Sequence, residues 1–313
     1  MVFRSGVIGI SILVCVGAPA WSAEPESCRQ VRVADGGWTD NVAQNGIATV
    51  ILDALGYTPT TQLLSVPIIY KSMENGDIDF FLDNWSPSSD PMTGPYLEAG
   101  TMEKVRTNLT GAKYTLAVPQ YVWDEGLKSF ADIAEHREKL DGKIHGIEPG
   151  NDSNTNVLKM IEANAVGLAG FELVESSEQG MLSELSRKER RKEWIVFIGW
   201  APHPMNVDHD IEYLEGGDEW FGPNFGGAEV WTGARKFYVQ ECPNVGRFLK
   251  NLEFSIDMES EMMGWILTDG LDGPAAARKW MAAHPEALAT WLSGVTTVDG
   301  GSAEEAVKAA LAL

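Results

Sequence analysis

Residues 33–40 read Val33-Ala34-Asp35-Gly36-Gly37-Trp38-Thr39-Asp40. An apolar strand runs into two glycines, and a tryptophan and a carboxylate follow at once. A core tryptophan needs no turn beside it. One placed at the carboxyl end of a strand faces the crevice where ligands of open α/β sheets sit. The same grammar continues downstream. Residues 41–56 (NVAQNGIATVILDALG) carry a helical pattern closed by Gly56. A strand follows at 60–66, then a helix with Pro67 in its first turn, then the strand DIDFFLDNW at 77–85. A second series predicts strands at 112–119, 143–149, 171–176 and 193–200, with helices between them, including FADIAEHREKL at 130–140. Such alternation implies parallel sheets covered by helices, an α/β fold. After Trp200 the chain turns rich in Gly, Pro and Asn, and helical patterns resume at 244–270 and 275–292.

This order predicts two α/β lobes. The first uses residues 24–108 and resumes over 206–300, and the second, 109–205, is inserted. The chain would cross twice, near Asn108–Lys113 and near Ala201–Asn206. Two crossings make a hinge, and the cleft between lobes is the natural ligand site. Residues 301–313 read as a polar link with a small, loosely held helix.

A chain of 313 residues with 44% apolar composition has ample material for a core. Its formal net charge of −21 excludes nucleic acid as a partner and suits cations or neutral molecules. Arg4 precedes a short apolar run, Val7 to Val16, and Ala18-Pro19-Ala20 supplies small residues for cleavage. Residues 1–23 therefore read as a secretory signal, too short to span a bilayer. Cys15 lies inside it. The two remaining cysteines, Cys28 and Cys242, would pair in an oxidising compartment, the alternative being two buried free thiols.

Three tryptophans share one structural address, the exit of a strand: Trp38, Trp85 and Trp200. Tyr114 lies on the strand that opens the second lobe, and Asn151 and Asp152 follow another strand. Any one of these aromatics would pass as a core residue. Together they form walls contributed by both lobes, which meet only when the cleft closes. Aromatic faces around a cavity suit a quaternary ammonium ion, which has no N–H to donate and is held by ring quadrupoles at ~0.5–2 kcal/mol per face. Catalytic signals are weak. No nucleophile motif or phosphate loop occurs, and His203, His209, Asp208 and Asp210 lack a metal-ligand spacing. His203 reads as a structural histidine or a hydrogen-bonding neighbour of the site. No metal or cofactor is expected.

The segments GGWTD (36–40), FLDNWSP (81–87), GAKYTLAVP (111–119), GIEPGND (146–152), SSEQGML (176–182), IVFIGWAPHPMN (195–206) and FGPNFGGA (221–228) resemble the periplasmic substrate-binding proteins of glycine betaine/choline ABC importers, and within them the choline-binding branch. The resemblance covers residues 24–295. It implies a type II binding-protein fold, a monomer that closes on its ligand and delivers it to an ABC transporter permease. It also implies that Trp38, Trp85, Tyr114 and Trp200 box a trimethylammonium group while Asp40 and Asn151 hold a hydroxyl, and that Cys28 and Cys242 are bridged. Choline is the implied ligand. Betaine and acetylcholine are rivals, and a secreted choline-ester hydrolase is the reading from a different class.

Overall fold

In the computed structural model the chain is described at Met1 and over residues 24–313, so the signal reading of residues 2–23, with Cys15, lies outside the described residues. Among the described residues no helix is long and apolar enough to cross a membrane.

Nine strands are present among the described residues: β1 (Gln30–Asp35), β2 (Thr58–Leu63), β3 (Phe80–Ser86), β4 (Met102–Pro119), β5 (Lys143–His145), β6 (Glu172–Val174), β7 (Phe197–Ala201), β8 (Ile211–Tyr213) and β9 (Gly227–Arg235). They follow the order β2-β1-β3-β9-β4-β7-β5-β6, with β8 on β4. The pairs β1–β2, β1–β3, β5–β6 and β5–β7 are parallel, as strand–helix alternation requires. The long strands β4 and β9 add antiparallel pairs in the middle.

The amino-terminal part of β4 pairs with β9, and Lys113–Ala117 pairs with β7. The register of β4 on β9 slips between Thr107 and Leu109 and again between Leu109 and Ala112. The stretch Asn108–Lys113 is thus a bulged part of a continuous strand, which bends without breaking its ladder. Ile211–Tyr213 pairs with the far end of β4, Phe130 N–H donates to Glu215 O at 2.9 Å, and β9 runs back along β4 with Gly227 opposite Lys113.

Two local expectations differ. The helix expected at 130–140 is two short 3-10 turns, Phe130–Asp132 and Ala134–His136. The Asp132 carboxylate accepts from Lys128 N, Ser129 N and Ser129 Oγ, a tight local cap. Arg137 donates to Ala169 O and Gly170 O, drawing the chain toward a neighbouring turn. The carboxyl-terminal segment is docked: helix Ala303–Leu311 buries Ala303 and Val307. Cys28 and Cys242 are bridged, with their Cα atoms 5.6 Å apart.

Candidate functional site

The stretch 33–40 explains itself at atomic scale. β1 ends at Asp35, Gly37 takes φ +94° to turn the chain, and Trp38 caps helix Thr39–Ala54. A Cβ on Gly36 would lie 2.3 Å from the Trp38 ring. Gly36 is therefore glycine so that the indole can fold back over the strand end. The Trp38 indole donates to Glu148 Oε2 at 2.8 Å, which points the ring across the cleft.

Trp85, on β3, donates its indole N–H to Asp83 Oδ1 at 2.8 Å. Tyr114 on β4 stands directly opposite Trp200 on β7, so the two rings share a face. Trp85 and Tyr114 have ring centroids 5.3 Å apart at 51°. Trp38, Trp85, Tyr114 and Trp200 line one pocket with Asp40, Asp83 and Asp152, and no Lys or Arg is among its lining residues. All four aromatics are buried.

Asp40 sits in the first turn of its helix and lines this pocket. Burial first, then the charges of Asp83 and Glu178, push its carboxyl well above the usual range. Burial likewise raises Asp152 to about 6. Among these neighbours ionisation of Asp40 is costly.

Asn151 stands behind the pocket wall. Its Oδ1 caps helix Asp152–Glu162 by accepting from Asn154 N at 2.9 Å, takes Ser153 Oγ at 2.7 Å, and lies 3.4 Å from the Tyr114 hydroxyl. Its Nδ2 donates to Glu148 O. Asn151 is not among the aromatic pocket's lining residues and lines a neighbouring groove with Trp38 and Glu148, and its hydrogen bonds hold Tyr114 and the helix start.

Three acids reach across between elements: Asp152, noted from sequence at a strand end, and Glu148 and Glu178, which sequence reasoning did not single out. Glu148 takes the Trp38 indole. Asp152 accepts from Ser88 Oγ. Glu178, fully buried, accepts from Thr39 N at 2.8 Å, Thr39 Oγ1 at 2.7 Å and His203 Nε2 at 2.8 Å. His203 Nδ1 accepts from Met205 N at 2.8 Å. A backbone N–H can only donate, so the ring proton is on Nε2 and both nitrogens are engaged. His203 is a support for Glu178 and is not among the pocket's lining residues.

The chain is 53% identical to an ABC-transporter choline binding protein solved in complex with choline, with 92% of this chain and all of that one covered and a TM-score of 0.91. The unliganded, semi-closed form of such a protein gives 0.85 at the same identity and coverage. The glycine betaine/carnitine transport binding protein GbuC of Listeria monocytogenes is 29% identical over 163 residues, 52% of this chain and 53% of that protein. The two-lobed fold of the solved proteins is the fold of this chain. Residues 29–283 match the family model for the substrate binding domain of ABC-type glycine betaine transport systems, OpuAC, and the chain belongs to that family.

Proposed function

We propose that this protein is a periplasmic, non-enzymatic receptor that captures choline and passes it to an ABC transporter permease. The observation that carries the reading is the single pocket built from Trp38, Trp85, Tyr114 and Trp200, two from each lobe, with carboxyl groups and no basic side chain around them. Such a pocket suits a permanent cation that cannot hydrogen bond through nitrogen. Similarity to a protein solved with choline supports the same ligand. A hydrolase would need a nucleophile backed by a free base. His203, the histidine nearest this region, spends both nitrogens on Glu178 and Met205.

Calorimetry of the mature protein against choline and betaine tests the reading. Trp85→Ala or Trp200→Ala should weaken choline at least about tenfold, since one lost face at ~1.4 kcal/mol corresponds to that factor. Trp291→Ala, which removes a buried ring tilted against Trp280, should lower the melting temperature and leave affinity unchanged. Equal losses of affinity at Trp200 and Trp291 would overturn the assignment.

Choline and betaine share the trimethylammonium group, so discrimination rests on the other end. A choline hydroxyl donates to an Asp40 oxygen. A betaine carboxylate meets the same group with like charge. A charge-assisted hydrogen bond of ~1.5–3 kcal/mol predicts a choline preference of roughly ten- to a hundredfold. Asp40→Asn should weaken choline and narrow that gap. Wild-type protein that binds both ligands equally well would reduce Asp40 to a helix-start residue.

A further inference from the structure

Asp83 is the acid in this pocket with no partner for half of its carboxyl group. It lies on β3 inside the run Phe80-Phe81-Leu82-Asp83-Asn84-Trp85, every member of which is buried. Its Oδ1 accepts from the Trp85 indole at 2.8 Å and lies 3.4 Å from Gln44 Nε2. Its Oδ2 is buried without a hydrogen-bond partner among the described residues, and the residue lines the pocket beside the aromatic rings.

The groups around Asp83 carry one sign of charge. Helix Thr39–Ala54 presents Asp40 and Gln44, and helix Ile256–Asp269 presents Glu259, which takes Gln44 Nε2 at 3.0 Å. Asp152 comes from the start of helix Asp152–Glu162, and Tyr70 from helix Val66–Asn75. Burial, then the Glu259 charge, push the Asp83 carboxyl well above its usual range, against the pull of the Trp85 N–H. Several carboxylates packed together out of water without a compensating cation cannot all be ionised. A quaternary ammonium supplies a permanent positive charge that no proton can carry away. Its arrival beside the unpartnered oxygen reverses the local balance.

We propose that Asp83 is the counter-ion of the bound quaternary ammonium. It remains protonated in the ligand-free protein, ionises as the cation enters, and gives its proton to solvent, so that capture of one cation releases one proton. The same carboxyl group fixes the Trp85 ring through Oδ1, which puts the charge and the aromatic wall in one rigid unit. This inference rests on the reading of the aromatic pocket as a quaternary ammonium site.

Tetramethylammonium carries the cation without the hydroxyl end and is the probe, with choline alongside. Calorimetry in two buffers of different ionisation enthalpy should report release of about one proton per cation at pH values between the Asp83 titration in the cation-bound protein and that in the ligand-free protein. Affinity should rise with pH by up to about tenfold per unit across that range and then level off. Asp83→Asn keeps an acceptor for the Trp85 indole and removes the charge. It should bind tetramethylammonium at least about tenfold more weakly and lose the pH dependence and the proton release. Thermal melting checks that the variant is folded.

Wild-type protein that takes up the cation without proton release would overturn the proposal, as would Asp83→Asn binding with wild-type affinity. Proton release that persists in Asp83→Asn and disappears in Asp40→Asn would transfer the role to Asp40 and overturn it too. Wild-type protein that binds neither cation would bring down the reading of the pocket and this inference together. Tetramethylammonium binding with proton release, and choline no tighter, would remove only the hydroxyl contact at Asp40 and leave Asp83 in its role.

Discussion

Removing the Cys28–Cys242 bridge should destabilise the protein by about 5 kcal/mol and leave choline affinity nearly unchanged. The bridge joins residues 214 apart in sequence, so the cross-link closes residues 28–242 into one loop. The chain-entropy relation for a loop of that length gives a denatured-state penalty of about 5 kcal/mol. For a protein of this size that is a fall in melting temperature of about 10 °C or more. Both half-cystines are buried, and the region around them has other ties. Asp79 is held by Arg32 at 2.7 Å and Arg235 at 2.9 Å, joining the segments that enter β1, β3 and the end of β9. Glu24 accepts from Asn244 N at 2.8 Å. These contacts survive reduction, so the reduced lobe is expected to fold and the pocket walls to keep their places. A Cys28→Ser/Cys242→Ser variant that melts with the oxidised protein would show that the bridge constrains nothing. One that melts lower and no longer binds would show that the bridge shapes the pocket.

The parts of this site legible in the sequence are those set by backbone grammar. Trp38, Trp85 and Trp200 are visible because each ends an apolar strand, and in an α/β fold strand ends line the crevice. Gly36 and Gly37 beside Trp38 signal a turn from sequence, and the room that Gly36 leaves for the ring appears only in the structure. The connecting acids are a different case. Glu178 follows Ser177, whose side chain accepts from Gly180 N. From sequence it is an ordinary acidic residue in a helix's first turn, to be left in solvent. Its burial appears only when Thr39, 139 residues earlier, is brought against it. Asp83 did leave a trace, as a carboxyl inside a run of large apolar residues, which is an expensive place for a charge without a purpose. Strand β8 could not be read because it is three residues long and its pairing with β4 is long-range.

Glu178→Ala should weaken choline binding by about a hundredfold, the largest loss expected from a residue that does not line the aromatic pocket. Glu178 belongs to the second lobe and Thr39 to the first, so the two hydrogen bonds between them exist only when the cleft is shut. Thr39 N is one of the free N–H groups at a helix start, where a carboxylate is also favoured by the helix dipole. Charge-assisted hydrogen bonds of this kind contribute ~1.5–3 kcal/mol each, and ~2.7 kcal/mol lost from the closed state is about a hundredfold in affinity. The ligand binds the closed form, so any reduction in the closed population appears directly as weaker apparent binding. Alanine also leaves the His203 Nε2–H and the Thr39 hydroxyl buried without their acceptor, which adds to the cost. Glu178→Gln keeps one acceptor oxygen but turns an N–H toward groups that are themselves donors, and should fall between alanine and wild type. The loss should lie in the dissociation rate, because the latch forms after the ligand has entered. Choline held by Glu178→Ala at wild-type affinity, or lost through slower association alone, would show that lobe closure does not depend on this latch.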